Sequence, residues 1–383
     1  MKKIVFIGKV ILKDKILQKG MVEIEEGKIS YVGRRKKVDK DSEVFYFEDF
    51  YISPGFIDIH IHGANGRDFL NSSFKDMEEI SYFLASKGVT SCLPTLATSS
   101  LPEMKKAISE IENYISSNVI KGTKFIGIHL EGPFLNPNYK GAQREDAILK
   151  PDLNILNELL SPHVRLITLA PELEGALELI SYLSKKGVII SAGHTSALSQ
   201  DMEKAINLGL SHITHLFNGM RPLHHREPGI IGVALVDDRL SVEIIADGYH
   251  LSNYILKLVT RIKPRDKVVL ITDAIMAAGL SDGEYSLAGQ KVLVKDGKAT
   301  LESGSLAGST LTMNRAIKNM VEKEIVSLVD AIYMASLSPA KVIGIDGRKG
   351  SLEASKDADL TVLDESFNVK LTMVEGHIIY NAL

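Results

Sequence analysis

Between Phe56 and Thr272 the sequence keeps switching between short apolar runs and segments with helical spacing. That alternation points to a parallel sheet covered by helices. The runs predict strands over Phe56–His62, Val89–Thr95, Phe125–Glu131, Val164–Leu169, Val188–Ala192, Ser211–His215, Val242–Ala246 and Val268–Thr272. Between them, Met77, Ile80, Phe83 and Leu84 recur at helical spacing within Phe74–Lys87, as do Leu177, Ile180 and Leu183 within Leu173–Lys186. Gly88, Gly187 and Gly209 stand where helices should stop. Ser100-Leu-Pro-Glu103 has the spacing of a capping box with a first-turn proline. Strand–helix units spread over residues 53–349 fit a (β/α)8 TIM-like barrel, which takes about 250 residues and accepts insertions. A doubly wound sheet is the competing architecture, and the placement of the chemistry must decide between them.

Both ends of the chain read differently. Residues 1–52 carry short strand patterns (Lys3–Ile7, Gly20–Glu25, Lys28–Val32, Val44–Phe47) with a Glu26-Gly27 turn and no helical period. Residues 350–383 return to that style, with Asp359–Leu363, Val369–Met373, a Glu375-Gly376 turn and His377–Tyr380. Neither set of strands is large enough to stand alone, so the two are expected to form one small β-sandwich domain built from both termini. Two long excursions, Gly132–Lys150 and Gly219–Asp238, follow strand ends and should lie over the barrel mouth.

Composition narrows the chemistry. With 45 Lys and Arg against 48 Asp and Glu, no overall charge draws the chain to nucleic acid or an anionic membrane. No apolar run reaches the ~18 residues of a membrane span, and Lys9, Lys13, Asp14 and Lys15 break up the first apolar stretch. The single cysteine, Cys92, permits neither an internal disulfide nor a cysteine-rich zinc site, and in its apolar strand it reads as a small buried residue. A cytoplasmic location is the expectation. Any metal must be held by histidine and carboxylate.

Those residue types are concentrated at strand ends. In Phe56-Ile-Asp-Ile-His60-Ile-His62 the two histidines are two apart on a strand, so both imidazoles face the same side, as a chelating pair would. Glu131 closes the third strand, His194 follows the fifth, His215 the sixth, and Asp273 the eighth. Any one of these alone would more often be structural, and Asp273 could simply cap a helix. Together they would converge above one barrel mouth, which is where such folds place their active sites.

These residues sit in longer motifs: Pro54-Gly-Phe-Ile-Asp-Ile-His-Ile-His-Gly63, His129-Leu-Glu-Gly-Pro-Phe134, Lys140-Gly-Ala-Gln143, Thr214-His-Leu-Phe-Asn218, Arg226-Glu-Pro-Gly229, Ala246-Asp-Gly-Tyr-His250, Thr272-Asp-Ala274 and Leu306-Ala-Gly-Ser-Thr310. The sequence thereby resembles the amidohydrolase superfamily and, within it, the N-acetylglucosamine-6-phosphate deacetylase family. The resemblance implies hydrolysis of an acetamide on an amino-sugar phosphate, with Glu131, His194 and His215 holding the main divalent ion. His60 and His62 would help hold a second, so one or two ions (Zn, Fe, Co or Mn) are implied. Asp273 would act as the proton-transferring base. Ala142, Gln143, Asn218, Gly219, Arg226, His250 and Leu306 would contact substrate, with Arg226 reaching the neighbouring subunit's site in a homodimer. Two positions depart from the family pattern: Gln143 stands where some relatives carry His, and Gly219 where Ala is more usual. His163, His212, His224, His225 and His377 are read as non-catalytic. Another amidohydrolase activity on the same barrel (cyclic amidase, dipeptidase or deaminase) and a non-enzymatic scaffold are the alternative readings.

Overall fold

The alternation resolves into eight parallel strands in sequential order. In the computed structural model, which describes residues 3–383, they are Phe56–Ile61, Val89–Ala97, Ile128–Glu131, Val164–Leu169, Ile189–Ala192, His212–Ile213, Ser241–Ile245 and Val268–Ile271. Beyond the last strand, Asp273 N–H donates to His60 O (2.9 Å), and His62 N–H donates to Ala274 O (2.8 Å), bringing last against first. Sequential order and this near-closure exclude the doubly wound sheet, whose strand order reverses at its centre. Helices cover the outer face, so Phe56–Ile61 and Val89–Ala97 are buried along their whole length.

Local chemistry explains where the helices begin and end. Ser73 Oγ accepts from Asp76 N–H at the start of Phe74–Ala85, which buries Met77, Ile80 and Leu84; each such apolar side chain contributes about 1.5–3 kcal/mol on burial. Glu103 accepts from Ser100 N–H (3.2 Å) at the start of Leu101–Ser116. Ala176–Lys186 begins later than its periodicity suggests, after Gly175 at φ 84°, and stops at Gly187 with φ 73°. Left-handed φ is what glycine tolerates best.

Several strands end sooner than the apolar runs do. The sixth is only His212–Ile213, because His215 leaves the ladder with φ 29°. The third begins at Ile128 and not at Phe125, since Gly127 at φ 154° separates it from a short Lys124–Phe125 segment. An antiparallel three-stranded sheet, Gly283–Leu287, Gln290–Lys295 and Lys298–Leu301, was not anticipated. Its signal lies in the Ala288-Gly289 and Asp296-Gly297 turns, all four residues having positive φ. It leans over the barrel mouth, where Gln290 Nε2 donates to Ala142 O.

The termini do combine. Seven strands run in the order His377–Asn381, Val369–Val374, Leu360–Leu363, Glu43–Pro54, Ile4–Ile11, Ile16–Glu25, Lys28–Arg34. The strands from both ends form one continuous sheet, and Phe6, Val22, Ile52, Leu360 and Leu371 share one buried cluster on it. Along Ile4–Ile11 the register shifts, with Gly8 facing Phe47 and the next residue, Lys9, facing Tyr51, as at a β-bulge.

Candidate active site

A cleft of about 290 Å³ opens at the C-terminal mouth of the barrel. Glu131, His194, His215, His62 and Asp273 line it, together with Ala142, Gln143, Asn218, Gly219, His250 and Leu306. His60 lies just beneath, fully buried. Arg226 is exposed on the loop before helix Gly229–Val236 and does not line its own chain's cleft. The second excursion thus reaches the mouth only through its first residues. Its remainder turns away into that helix.

Two ligand groups share the cleft: Glu131, His194 and His215, and His60, His62 and Asp273. In the first, His194 Nδ1 donates to Tyr139 O (2.9 Å) and His215 Nδ1 to Asn218 O (3.1 Å), so each ring's Nε2 carries a lone pair. Those two nitrogens lie 3.1 Å apart and each is 3.0 Å from Glu131 Oε1. Three acceptors converging with no proton between them repel unless a cation joins them. The donor set, two imidazoles and a carboxylate, suits a divalent transition ion.

The second group makes the same demand. His62 Nδ1 faces Thr95 O (3.2 Å), which turns Nε2 towards Asp273 Oδ1 and Glu131 Oε2, both at 3.2 Å. His60 Nε2 finds no hydrogen-bond partner among the described residues and lies 3.5 Å from both Glu131 Oε1 and Asp273 Oδ1. Burial opposes the charged form of His62, but Asp273 and Glu131 overcome it and push its pKa up to about 9. Burial likewise disfavours the Asp273 carboxylate, yet His60 and His62 hold it below the ordinary range. The carboxylates thus draw positive charge onto the imidazoles, the charge a divalent ion would supply in place of their protons, and the residues fit a metal pair.

Backbone geometry aims these side chains. His194, His215 and Asp273 have φ of 49°, 29° and 49°, a region that costs a non-glycine residue about 1–3 kcal/mol. Each lies just past a strand, so the turn out of the ladder points the side chain inward over the mouth.

The remaining positions divide by what they touch. Gln143 is fully engaged: Oε1 accepts from Thr98 N–H (2.7 Å) and Nε2 donates to Glu131 Oε2 (2.5 Å), so in this arrangement it orients Glu131. His250 Nδ1 donates to Asp247 Oδ2 (2.7 Å), leaving Nε2 as the open ring nitrogen. At Gly219, φ is 60° and an added Cβ would approach His194 Nδ1 to 2.9 Å, so glycine here relieves both strain and crowding. Ala142 and Leu306 both line the cleft beside the unanticipated three-stranded sheet, which Ala142 O meets at Gln290 and Leu306 at Thr300. Cys92 is buried, as its strand implied. Thr98, Asp247 and Glu243 were not singled out from sequence; they act through other side chains and belong to no spacing pattern.

A nearly closed parallel barrel with two His and carboxylate groups at its C-terminal mouth defines a barrel of the metal-assisted hydrolase type. The amidohydrolase family profile matches residues 51–379. The chain is 38% identical over 377 residues to an N-acetylglucosamine-6-phosphate deacetylase of Bacillus subtilis (strain 168), covering 97% of this chain and 95% of that one. It is 37% identical to an N-acetylgalactosamine-6-phosphate deacetylase of Escherichia coli O157:H7, covering 85% and 87%. A solved Mycobacterium smegmatis N-acetyl-D-glucosamine-6-phosphate deacetylase mutant, in complex with N-acetyl-D-glucosamine-6-phosphate, superimposes with a TM-score of 0.92 at 29% identity, covering 100% of both chains. The chain belongs to the amidohydrolase family.

Proposed function

We propose that this enzyme hydrolyses the acetamide of N-acetyl-D-glucosamine 6-phosphate to D-glucosamine 6-phosphate and acetate, in amino-sugar catabolism. The observation that carries the reading is the convergence of Glu131, His194, His215, His60, His62 and Asp273 on one cleft. Relatives named for this reaction support the substrate, and the relative named for the galactosamine epimer makes that epimer the natural comparison.

Glu131, His194 and His215 would hold one divalent ion, and His60 and His62 would help hold a second beside Asp273. A divalent ion supplies Lewis acidity that polarises the amide carbonyl and eases ionisation of water. Asp273 accepts a proton from the water that attacks the acetyl carbon. It then passes that proton to the amide nitrogen as the C–N bond breaks, because the nitrogen leaves as an amine. His250, with Asp247 fixing its Nδ1, and Asn218 line the cleft as contacts for the sugar phosphate. Gln143 holds Glu131 in register and lines the cleft beside it.

Arg226 would complete the phosphate site of a second copy, since its fork suits a phosphate and its own cleft is out of reach. An exposed apolar stripe supports a homodimer: Tyr254 (86% exposed), Leu258 and Ile262 share one face of helix Asn253–Ile262. Among the described residues no helix is long and apolar enough to cross a membrane; a phosphorylated sugar substrate and a lone buried thiol fit the cytoplasm.

The test is acetate release from N-acetylglucosamine 6-phosphate, its galactosamine epimer and unphosphorylated N-acetylglucosamine, before and after chelation. The reading expects metal-dependent release with preference for a 6-phosphate. Turnover of unphosphorylated or cyclic amides alone would favour another amidohydrolase activity.

A further inference from the structure

Behind the second ligand group lies a carboxylate that touches no substrate position. Glu243 points into the barrel from Ser241–Ile245 and is 0% exposed. Its Oε2 accepts from His60 Nδ1 (2.9 Å) and from the backbone N–H of His215 (3.0 Å). Its Oε1 accepts from His212 Nε2 (3.1 Å), and His212 is held in turn by Ser241 Oγ, 2.7 Å from its Nδ1. His60 and His212 are also fully buried, so no solvent can replace these partners.

We infer that Glu243 is a positioning residue for the metal pair: it holds the proton of His60 on Nδ1, keeps the Nε2 lone pair turned to the cleft, and ties His60 to His215 through one oxygen atom. Imidazole has two tautomers, and only one of them offers a metal the nitrogen that faces Asp273 and Glu131. Without an acceptor at Nδ1 the proton can move to Nε2 and the lone pair is lost. A buried donor without an acceptor is costly in itself, so the ring would also tilt to find one. His212, read as non-catalytic from sequence, is the clamp on the other carboxylate oxygen. The His215 contact makes Glu243 common to both ligand groups, with the larger share at His60, whose side chain it orients directly.

This inference rests on the two-ion reading above, and a metal titration separates the two. Metal-stripped wild type, Glu243→Ala and Glu243→Gln are titrated with Co²⁺, following the visible absorption of bound cobalt and counting ions per chain by elemental analysis. Wild type is expected to take two ions. Glu243→Ala should bind the second about 10–100-fold more weakly, the range for loss of a carboxylate behind a metal-bound histidine, with the first site changed by only a few fold. Glu243→Gln keeps one acceptor oxygen and should fall between the two. Equal affinity for the second ion in wild type and Glu243→Ala would overturn the positioning role. So would equal weakening of both sites in Glu243→Gln, or a Glu243→Ala that fails to fold beside a Glu243→Gln with wild-type second-site affinity. A wild type that takes a single ion would overturn the two-ion reading, visible before any substitution is made.

Discussion

Two buried charge clusters in this protein resemble each other in composition and differ in balance. Where the terminal sheet meets the barrel, Lys349 is almost wholly buried, yet its Nζ lies 2.6 Å from Asp359 Oδ2, 3.1 Å from Asp357 Oδ2 and 3.2 Å from Glu375 Oε1. Lys28 and Arg348 also reach Asp357. That cluster holds its own cations. At the barrel mouth, the titratable partners of Glu131, Asp273 and Glu243 among the described residues are imidazoles, with no Lys or Arg among them, and His194 and His215 turn lone pairs towards the cleft. The difference separates a structural cluster from a functional one: a site missing its positive charge is built to receive it from outside.

Removing divalent ions should therefore abolish acetate release, with recovery on re-addition, because only the mouth depends on an external cation. Activity that survives exhaustive chelation would erase the distinction. Next in size, Asp273→Asn should reduce kcat by about 10²–10⁴-fold, the usual worth of a positioned proton-transfer group, while elemental analysis still finds metal. Normal turnover in that variant would remove Asp273 from its role.

Lys349→Met probes the other cluster. Taking the cation from buried carboxylates should cost about 3–5 kcal/mol in a denaturation midpoint analysis, with metal content unchanged. A metal loss there would mean that the two clusters are not independent. The smallest effect concerns Glu353, beside Lys13 and Lys356. Burial works against its charge, but Lys13, Ser351 and Lys356 bring its pKa down to about 2. A depressed carboxylate stabilises the fold above its unfolded pKa, near 4.5, and that contribution is lost as pH falls towards 2. With the side chain 41% exposed, it is worth no more than about 1 kcal/mol. Glu353→Gln should flatten stability between pH 4.5 and 2 by that amount, and an unchanged slope would exclude it as a contributor.

Much of this was legible because strands impose a period. His60 and His62 had to share a side, and apolar runs ending in His or carboxylate had to deliver those residues to one rim once the strands were parallel. The three-stranded sheet over the mouth was missed despite its two Gly-containing turns, because Val292-Leu293-Val294 reads as a continuous apolar run although Leu293 is exposed. Glu243 was missed for another reason: mid-strand and flanked by apolar residues, it looks like an exception to a core pattern until His60 and His212 appear beside it. Gln143 could be listed as a substrate contact from its motif, but its hold on Glu131 depends on where Thr98 fixes its other end.

The sequence by itself determined the alternating architecture, the union of both termini, the exclusion of cysteine ligands and the gathering of His60, His62, Glu131, His194, His215 and Asp273 at strand ends, because hydrophobic period and residue chemistry are local properties. Tertiary structure alone decided the order and near-closure of the barrel, the left-handed turns at His194, His215 and Asp273, and which ring nitrogen each histidine turns to the cleft. Those depend on partners remote in the chain, and a hydrogen bond from Nδ1 to a distant carbonyl or carboxylate is what turns a histidine into a ligand.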